Sequence, residues 1–156
     1  CRHPHLIERE TVRTIYDRSL GSFQAPESIV VGATPAFAGD KVIYHFDNAA
    51  DQGLKGLRNI RNHLDVAPDT KIVVVTHADG IDMMFEGAKD PKNGTEYGPL
   101  ISGLKAAGVT FEVCEITMKR RNIAKDKFVL DADFTPSGVV RIGQLQFREH
   151  YAYIKP

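Results

Sequence analysis

Lys71-Ile72-Val73-Val74-Val75-Thr76-His77 is the stretch that decides the fold. Four apolar β-branched residues follow one another without polar alternation, the pattern of a strand buried on both faces, as strands inside parallel sheets are. Pro68-Asp69 supplies the turn before it, and Ala78-Asp79-Gly80 breaks it afterwards. Toward the N-terminus, Val42-Ile43-Tyr44-His45-Phe46 is a second run of the same kind. Between the two runs Leu54, Leu57, Ile60 and Leu64 recur at helical spacing, with Lys55, Arg58 and Arg61 on the wet face. Asn48 stands where an N-cap would start that helix.

Toward the C-terminus, a short helix is expected over 81–87, then a polar loop with Pro91 and Asn93-Gly94. A helix over 96–107 would bury Tyr97, Leu100, Ile101 and Leu104, and Gly108 suits its C′ position. A third strand over 109–116 leads to the basic turn Lys119-Arg120-Arg121, a short helical segment over 123–130 and a brief strand over 132–135. Pro136 fits the first turn of a last helix with Val139, Ile142 and Leu145 inward, and Tyr151-Ala152-Tyr153-Ile154 closes the chain as a strand. Strands separated by helical crossovers, which are right-handed, predict an α/β domain. Its expected form is a three-layer, flavodoxin-like open parallel sheet of about five strands, with helices on both faces.

Residues 1–39 read differently. Leu6, Ile7, Thr11, Val12, Ile15, Tyr16 and Leu20 have helical spacing, and a Pro- and Gly-bearing linker follows. The chain therefore divides into an appended helix and linker (1–39) and the α/β domain (40–156). Ala36-Phe37-Ala38 has the spacing of a signal-peptide cleavage site, but only Ile29-Val30-Val31 precedes it as an apolar run. The expected location is cytoplasmic, with a periplasmic one as the alternative if that segment is the remnant of a signal peptide.

The 20 basic and 20 acidic side chains among 156 residues cancel, so no global field draws nucleic acid or an anionic membrane. No apolar run is long enough to span a bilayer. The two cysteines, Cys1 and Cys114, are too few for a disulfide framework, and Cys114 reads as a free thiol. There is no dinucleotide fingerprint after the first strand, no phosphate-binding P-loop and no serine nucleophile elbow, so no cofactor is expected.

Ligands of open parallel sheets bind beyond the carboxyl ends of the strands. Three expected strands end there in reactive heteroatoms: His45 with Asn48, His77, and Cys114 with Thr117 and Lys119. Val109, Phe111 and Val113 share one parity of the third strand, which leaves Cys114 with the polar Thr110 and Glu112. Cys114 is therefore expected to be partly exposed. A following helix N-terminus and the basic triplet would hold its pKa low, and the thiolate is the reactive form. His45, His77 and Cys114 together are also a conceivable metal set with one open position, although their spacing does not demand one and no tightly bound metal is expected.

The stretch Gly108-Val109-Thr110-Phe111-Glu112-Val113-Cys114-Glu115-Ile116-Thr117-Met118-Lys119 resembles the DsrE/DsrF-like sulfur-relay family. So do His45, Thr76-His77-x-x-Gly80, and the tail from Pro136-Ser137-Gly138-Val139 to Tyr151-Ala152-Tyr153-Ile154-Lys155-Pro156. The resemblance spans 41–156. One departure is His150, where many members carry glycine before the closing Tyr-Ala-Tyr. The resemblance implies a subunit that assembles into homotrimers or larger rings. It also implies a cysteine at position 114 that accepts sulfane sulfur as a persulfide and passes it to a partner protein. His45, Asn48, His77, Thr117, Lys119 and Gly138 would support that cysteine, the histidines by shaping the pocket or moving protons. The expectation is a sulfur carrier or sulfurtransferase with protein donors and acceptors. The alternative is a non-catalytic oligomer that binds a small ligand or metal in the strand-end pocket around His45, His77 and Cys114.

Overall fold

The computed structural model describes residues 39–156; the expected N-terminal helix, its linker and the Ala36-Phe37-Ala38 segment lie outside them. The order is β1 (Lys41–Asn48), α1 (Ala49–Val66), β2 (Lys71–Asp79), a 3-10 turn (Gly80–Met84), α2 (Tyr97–Ala106), β3 (Thr110–Cys114) and α3 (Glu115–Arg120). A second 3-10 turn (Lys125–Lys127), β4 (Ala132–Thr135), α4 (Gly138–Glu149) and β5 (Ala152–Ile154) complete it.

All strand pairs are parallel, in the order β4-β3-β2-β1-β5. The three-layer open sheet is the expected one, with a strand order different from the 2-1-3-4-5 of flavodoxin itself. From β1 to β4 the chain steps in one direction, so right-handed crossovers place their helices on one face. The return from β4 to β5 reverses direction, and α4 covers the other face. Val42, Tyr44 and Phe46 of β1, Ile72 and Val74 of β2, and Phe111 and Val113 of β3 pack on the first face against Leu57, Ile60, Ile101 and Leu104. Ile43, Val73 and Val75 pack on the second against Leu145 and Tyr151. Both parities of β1 and β2 are thus apolar at their centres, which is why the sequence does not alternate. Full burial of each such Leu or Ile contributes about 2 kcal/mol.

Local signals hold at several ends. Asn48 Oδ1 accepts the Asp51 N–H at 3.3 Å and caps α1, and Gly108 takes φ +99° just after α2. Gly80 is required where the chain leaves β2, since a Cβ there would meet the Phe46 carbonyl oxygen at 2.0 Å.

Other expectations are corrected. Leu100 is 37% exposed, because α2 seats Tyr97, Ile101 and Leu104 and leaves Leu100 on a groove beside Arg58 and Arg61. Val139 is 65% exposed, because Gly138 is the first-turn residue seated over the sheet, and Pro136 precedes the cap instead of entering the helix. Ser137 Oγ accepts the Val140 N–H at 3.3 Å, α4 starts at Gly138, and Ile142 and Leu145 face the sheet while Val139 and Val140 face out. β3 ends at Cys114 because α3 starts at Glu115. The helix expected over 81–87 is the turn Gly80–Met84, which buries Ile81, Met83 and Met84 completely. The one expected over 123–130 shrinks to Lys125–Lys127, since Phe128 extends to stack on Phe85. Among the described residues, no helix is long and apolar enough to cross a membrane.

Candidate functional site

His45, His77 and Cys114 share the parity of Ile43, Val75 and Glu112, so all three face the layer that α4 covers. Gly138, the first residue of α4, comes down directly on them. A Cβ there would stand 3.1 Å from His77 Cβ, 3.4 Å from Cys114 Cβ and 3.4 Å from Val75 Cγ1. Only glycine lets the helix N-terminus approach this closely without displacing a neighbour.

Cys114 is 4% exposed, a correction to the expected partial exposure. The cause is the closeness of α4, whose first residue sits over the thiol. Burial by itself pushes the thiol pKa up. Against that, the nearby backbone N–H groups of Gly138, Thr117 and Ile116 and the Thr117 hydroxyl favour the thiolate, and the net result lies below the ordinary thiol value. Two helix N-termini, those of α3 and α4, thus converge on one sulfur.

The basic triplet plays a different part from the one expected. Lys119 is exposed and is not among the groups that lower the thiol pKa. Arg121 is turned away to pair with Asp82 at 2.7 Å, and its Nη1 also reaches the Ala78 carbonyl at 3.5 Å. It pins α3 to the end of β2 and the turn after it. Ala78, next to last in β2, adopts φ 49°, a left-handed conformation uncommon for alanine, and its N–H donates to Thr117 Oγ1 at 3.0 Å.

Beside the thiol stand the two histidines. His45 Nε2 lies 2.5 Å from His77 Nε2, and the rings stack with centroids 4.6 Å apart. His45 Nδ1 lies 2.6 Å from the hydroxyl of Tyr153 on the edge strand β5. Burial, and then the charge His77 would carry, pull His45 from 6.5 down to about 4. Burial lowers His77 as well. Asp47 is held by Lys155 at 3.1 Å, and this pair flanks the imidazoles. Among the described residues, no three His, Cys, Asp or Glu side chains converge as a metal-ligand set.

The structure thus brings together Cys114, Thr117, Gly138, His77 and His45. Asn48 is engaged in capping α1, accepting from the Asp51 amide and donating to Asp51 Oδ2 at 3.1 Å. Tyr153 was missed, although a tyrosine on a closing strand of alternating pattern was visible in Tyr151-Ala152-Tyr153. The second omission is Glu112, 7% exposed and two residues before the thiol, whose carboxylate accepts from Arg141 Nε at 3.0 and 3.2 Å. Burial raises its pKa and the Arg141 guanidinium partly offsets that.

The fold and this site can be set against known proteins. A protein of unknown function, MTH1491 from Methanobacterium thermoautotrophicum, superposes with a TM-score of 0.66 at 27% identity, over 75% of this chain and 99% of that one. The ychN protein of E. coli superposes with a TM-score of 0.61 at 15% identity, over 76% and 100%, and at that identity it shows the fold alone. No curated protein matches the chain. The family model described as DsrE/DsrF-like matches residues 37–156, most of the chain and all of the site, and the chain belongs to the DsrE/DsrF-like family.

Proposed function

We propose that the protein is a sulfur carrier that takes sulfane sulfur onto Cys114 and yields it to an acceptor thiol. The observation that carries this reading is the placing of Cys114 at the start of α3 and directly under Gly138, the first residue of α4, where backbone N–H groups favour the thiolate. Such a cradle favours the thiolate, and it favours equally the anion of a persulfide. The thiolate attacks the outer sulfur of a donor R–S–SH; the new bond joins the Cys114 sulfur to that atom, the donor S–S bond breaks, and R–S⁻ leaves. The product is Cys114–S–SH, and the reverse attack by an acceptor thiolate unloads it. The step is thiol–disulfide exchange with a sulfur atom as cargo, so its rate follows thiolate fraction and access.

Family membership supports sulfur relay as the general role. Donor and acceptor would be partner proteins with reactive thiols, and the subunit would work as a homotrimer or larger ring. A reducing compartment such as the cytoplasm suits a free thiol. A second reading is a strand-end site that binds a small ligand without turnover, favoured by the paired imidazoles of His45 and His77 beside the buried thiol.

The test is mass spectrometry after exposure to inorganic polysulfide, in a Cys1→Ser background. One added sulfur atom per subunit, removed by reductant and absent in Cys114→Ser, is the expected result. A chain that gains no sulfur while Cys114 resists alkylation until denatured would end this reading and leave the ligand pocket.

A further inference from the structure

We propose that Tyr153, His45 and His77 form a proton relay from the exposed edge of the sheet to the Cys114 site, delivering the proton that the departing donor thiolate takes up. The proposal rests on the sulfur-carrier reading above.

The geometry is a continuous chain of hydrogen-bonding atoms. Tyr153 is 41% exposed on β5, its hydroxyl lies 2.6 Å from His45 Nδ1, and His45 Nε2 lies 2.5 Å from His77 Nε2. His77 Cβ and Cys114 Cβ flank the same point, 3.1 and 3.4 Å from where a Gly138 Cβ would be. Two nitrogens so close must share one proton, since two N–H groups or two lone pairs would repel. The chain therefore has two settings. In one, Tyr153 O–H donates to His45 Nδ1, His45 Nε2–H donates to His77 Nε2, and the remaining proton of His77 sits on Nδ1. In the other, every proton has moved one place inward: His77 has given up its Nδ1 proton and taken that of His45 on Nε2, His45 has taken that of Tyr153 on Nδ1, and Tyr153 takes one from water. Each passage moves one proton from water to the site.

The transfer then balances. Cys114–S⁻ and R–S–SH give Cys114–S–SH and R–S⁻; the His77 Nδ1 proton converts R–S⁻ to R–SH, and water reprotonates Tyr153. The net reaction consumes one proton from solvent and needs no oxidant or reductant. The other charged groups facing the relay are Asp47 on β1 and Lys155 after β5, which pair with each other at 3.1 Å and leave the imidazoles close to neutral surroundings. The competing view is that Tyr153 only fastens the three-residue edge strand to β1.

Two reactions of the same thiol separate these views, both followed against pH in the Cys1→Ser chain and in its Tyr153→Phe and His45→Gln variants. Iodoacetamide needs only the thiolate, because iodide leaves without a proton. Glutathione persulfide releases a thiolate that takes one. The relay predicts that Tyr153→Phe slows sulfur transfer about tenfold, most strongly at alkaline pH, while alkylation changes by less than about twofold. Equal slowing of both reactions, or of neither, would overturn it. If the parent chain takes up no sulfur at all, the carrier reading fails on its own. The relay is then judged by ¹⁵N resonances of the imidazoles: Tyr153→Phe must shift those of His77, which it does not touch, and unchanged His77 resonances would refute the coupling.

Discussion

The Ala78 amide donates to Thr117 Oγ1 at 3.0 Å, and the same hydroxyl is one of the groups that favour the Cys114 thiolate. One hydroxyl thus ties the strained end of β2 to the start of α3, beside the reactive atom. Thr117→Val removes the hydroxyl at nearly constant volume. The thiol pKa should rise, because the thiolate loses a group that favours it. Alkylation at neutral pH should slow severalfold, and Thr117→Ser should restore it. Stability should fall by only about 1 kcal/mol, because Ala78 is exposed and water can take its N–H. Rate–pH profiles with iodoacetamide check this; a profile unchanged from the parent would assign the whole effect to the amides.

Gly138→Ala tests the amide from the other helix. Its methyl would press on His77, Cys114 and Val75 at 3.1 to 3.4 Å, so α4 must retreat by a few tenths of an ångström. The cost should be about 1–2 kcal/mol of stability, as for a tight core insertion. The thiol should become less acidic as the Gly138 N–H withdraws, which thermal melts and the same alkylation profile would record together. A loss of stability with unchanged thiol reactivity would show that this amide does not matter to the sulfur.

The sheet was legible because Ile72 to Val75 are β-branched and buried on both faces, a condition few folds other than a parallel sheet impose. Parity likewise set Cys114 apart from Phe111 and Val113. What could not be read was which group would lie over that parity. Lys119, Arg120 and Arg121 are the nearest cations along the chain, yet Arg121 turns to Asp82 and the sulfur is met by the amide of Gly138, 24 positions away. Sequence distance orders charges along a strand but not across a crossover. Val139 differs for another reason: Ile142 and Leu145 do face the sheet, but in the first turn Gly138 takes the place over it and Val139 is left outside.

Acid should destabilise the domain through His45. Its folded pKa is about 4 against an ordinary 6.5, so the folded state binds fewer protons than the unfolded chain between these values. By linkage the contribution is fully present above pH 6.5 and is lost as pH falls toward 4. With a partly solvated ring the loss should be about 1–2 kcal/mol after screening. Asp47, lowered by Lys155 despite its burial, acts in the same sense but below its ordinary 3.8, outside this window. Glu112, raised by burial, acts in the opposite sense, contributing stability at low pH that is lost as pH rises through its folded pKa. The clean readout is therefore the difference in melting temperature between the parent and His45→Gln from pH 7 to 4, which should narrow as the pH falls. Parallel curves would show that His45 is not the group responsible.

His150 takes φ 58° and ψ 38° at the end of α4, and its N–H caps the Leu145 carbonyl. A left-handed conformation costs a β-carbon residue about 1 kcal/mol that glycine does not pay. His150→Gly should raise stability by about 0.5–1 kcal/mol, since relief of strain outweighs the greater freedom of glycine in the unfolded chain. Chemical denaturation with an unchanged m-value checks it; a destabilised variant would mean that the His150 side chain contributes more than its backbone costs.

Val139, Val140 and Phe147 on the outer side of α4 are 65%, 54% and 84% exposed, and Gly143 between them has open space above it. Positions 139, 140, 143 and 147 form one stripe on a helix that is, among the described residues, the sole helical cover of its sheet face. Three large apolar side chains in a row on a monomer's surface mark a contact, and burying each would contribute about 1.5–3 kcal/mol. We expect this stripe to be the seam of a homotrimer. Sedimentation equilibrium at micromolar concentration should give about three times the subunit mass. Val140→Glu together with Phe147→Glu should give a monomer that keeps a cooperative melt, because neither side chain belongs to either core. The consequence for chemistry is direct, since the same helix begins at Gly138 over the thiol. Monomerisation that changes the alkylation rate of Cys114 would show that assembly sets access to the sulfur, whereas a parent chain that is itself a clean monomer would remove the seam.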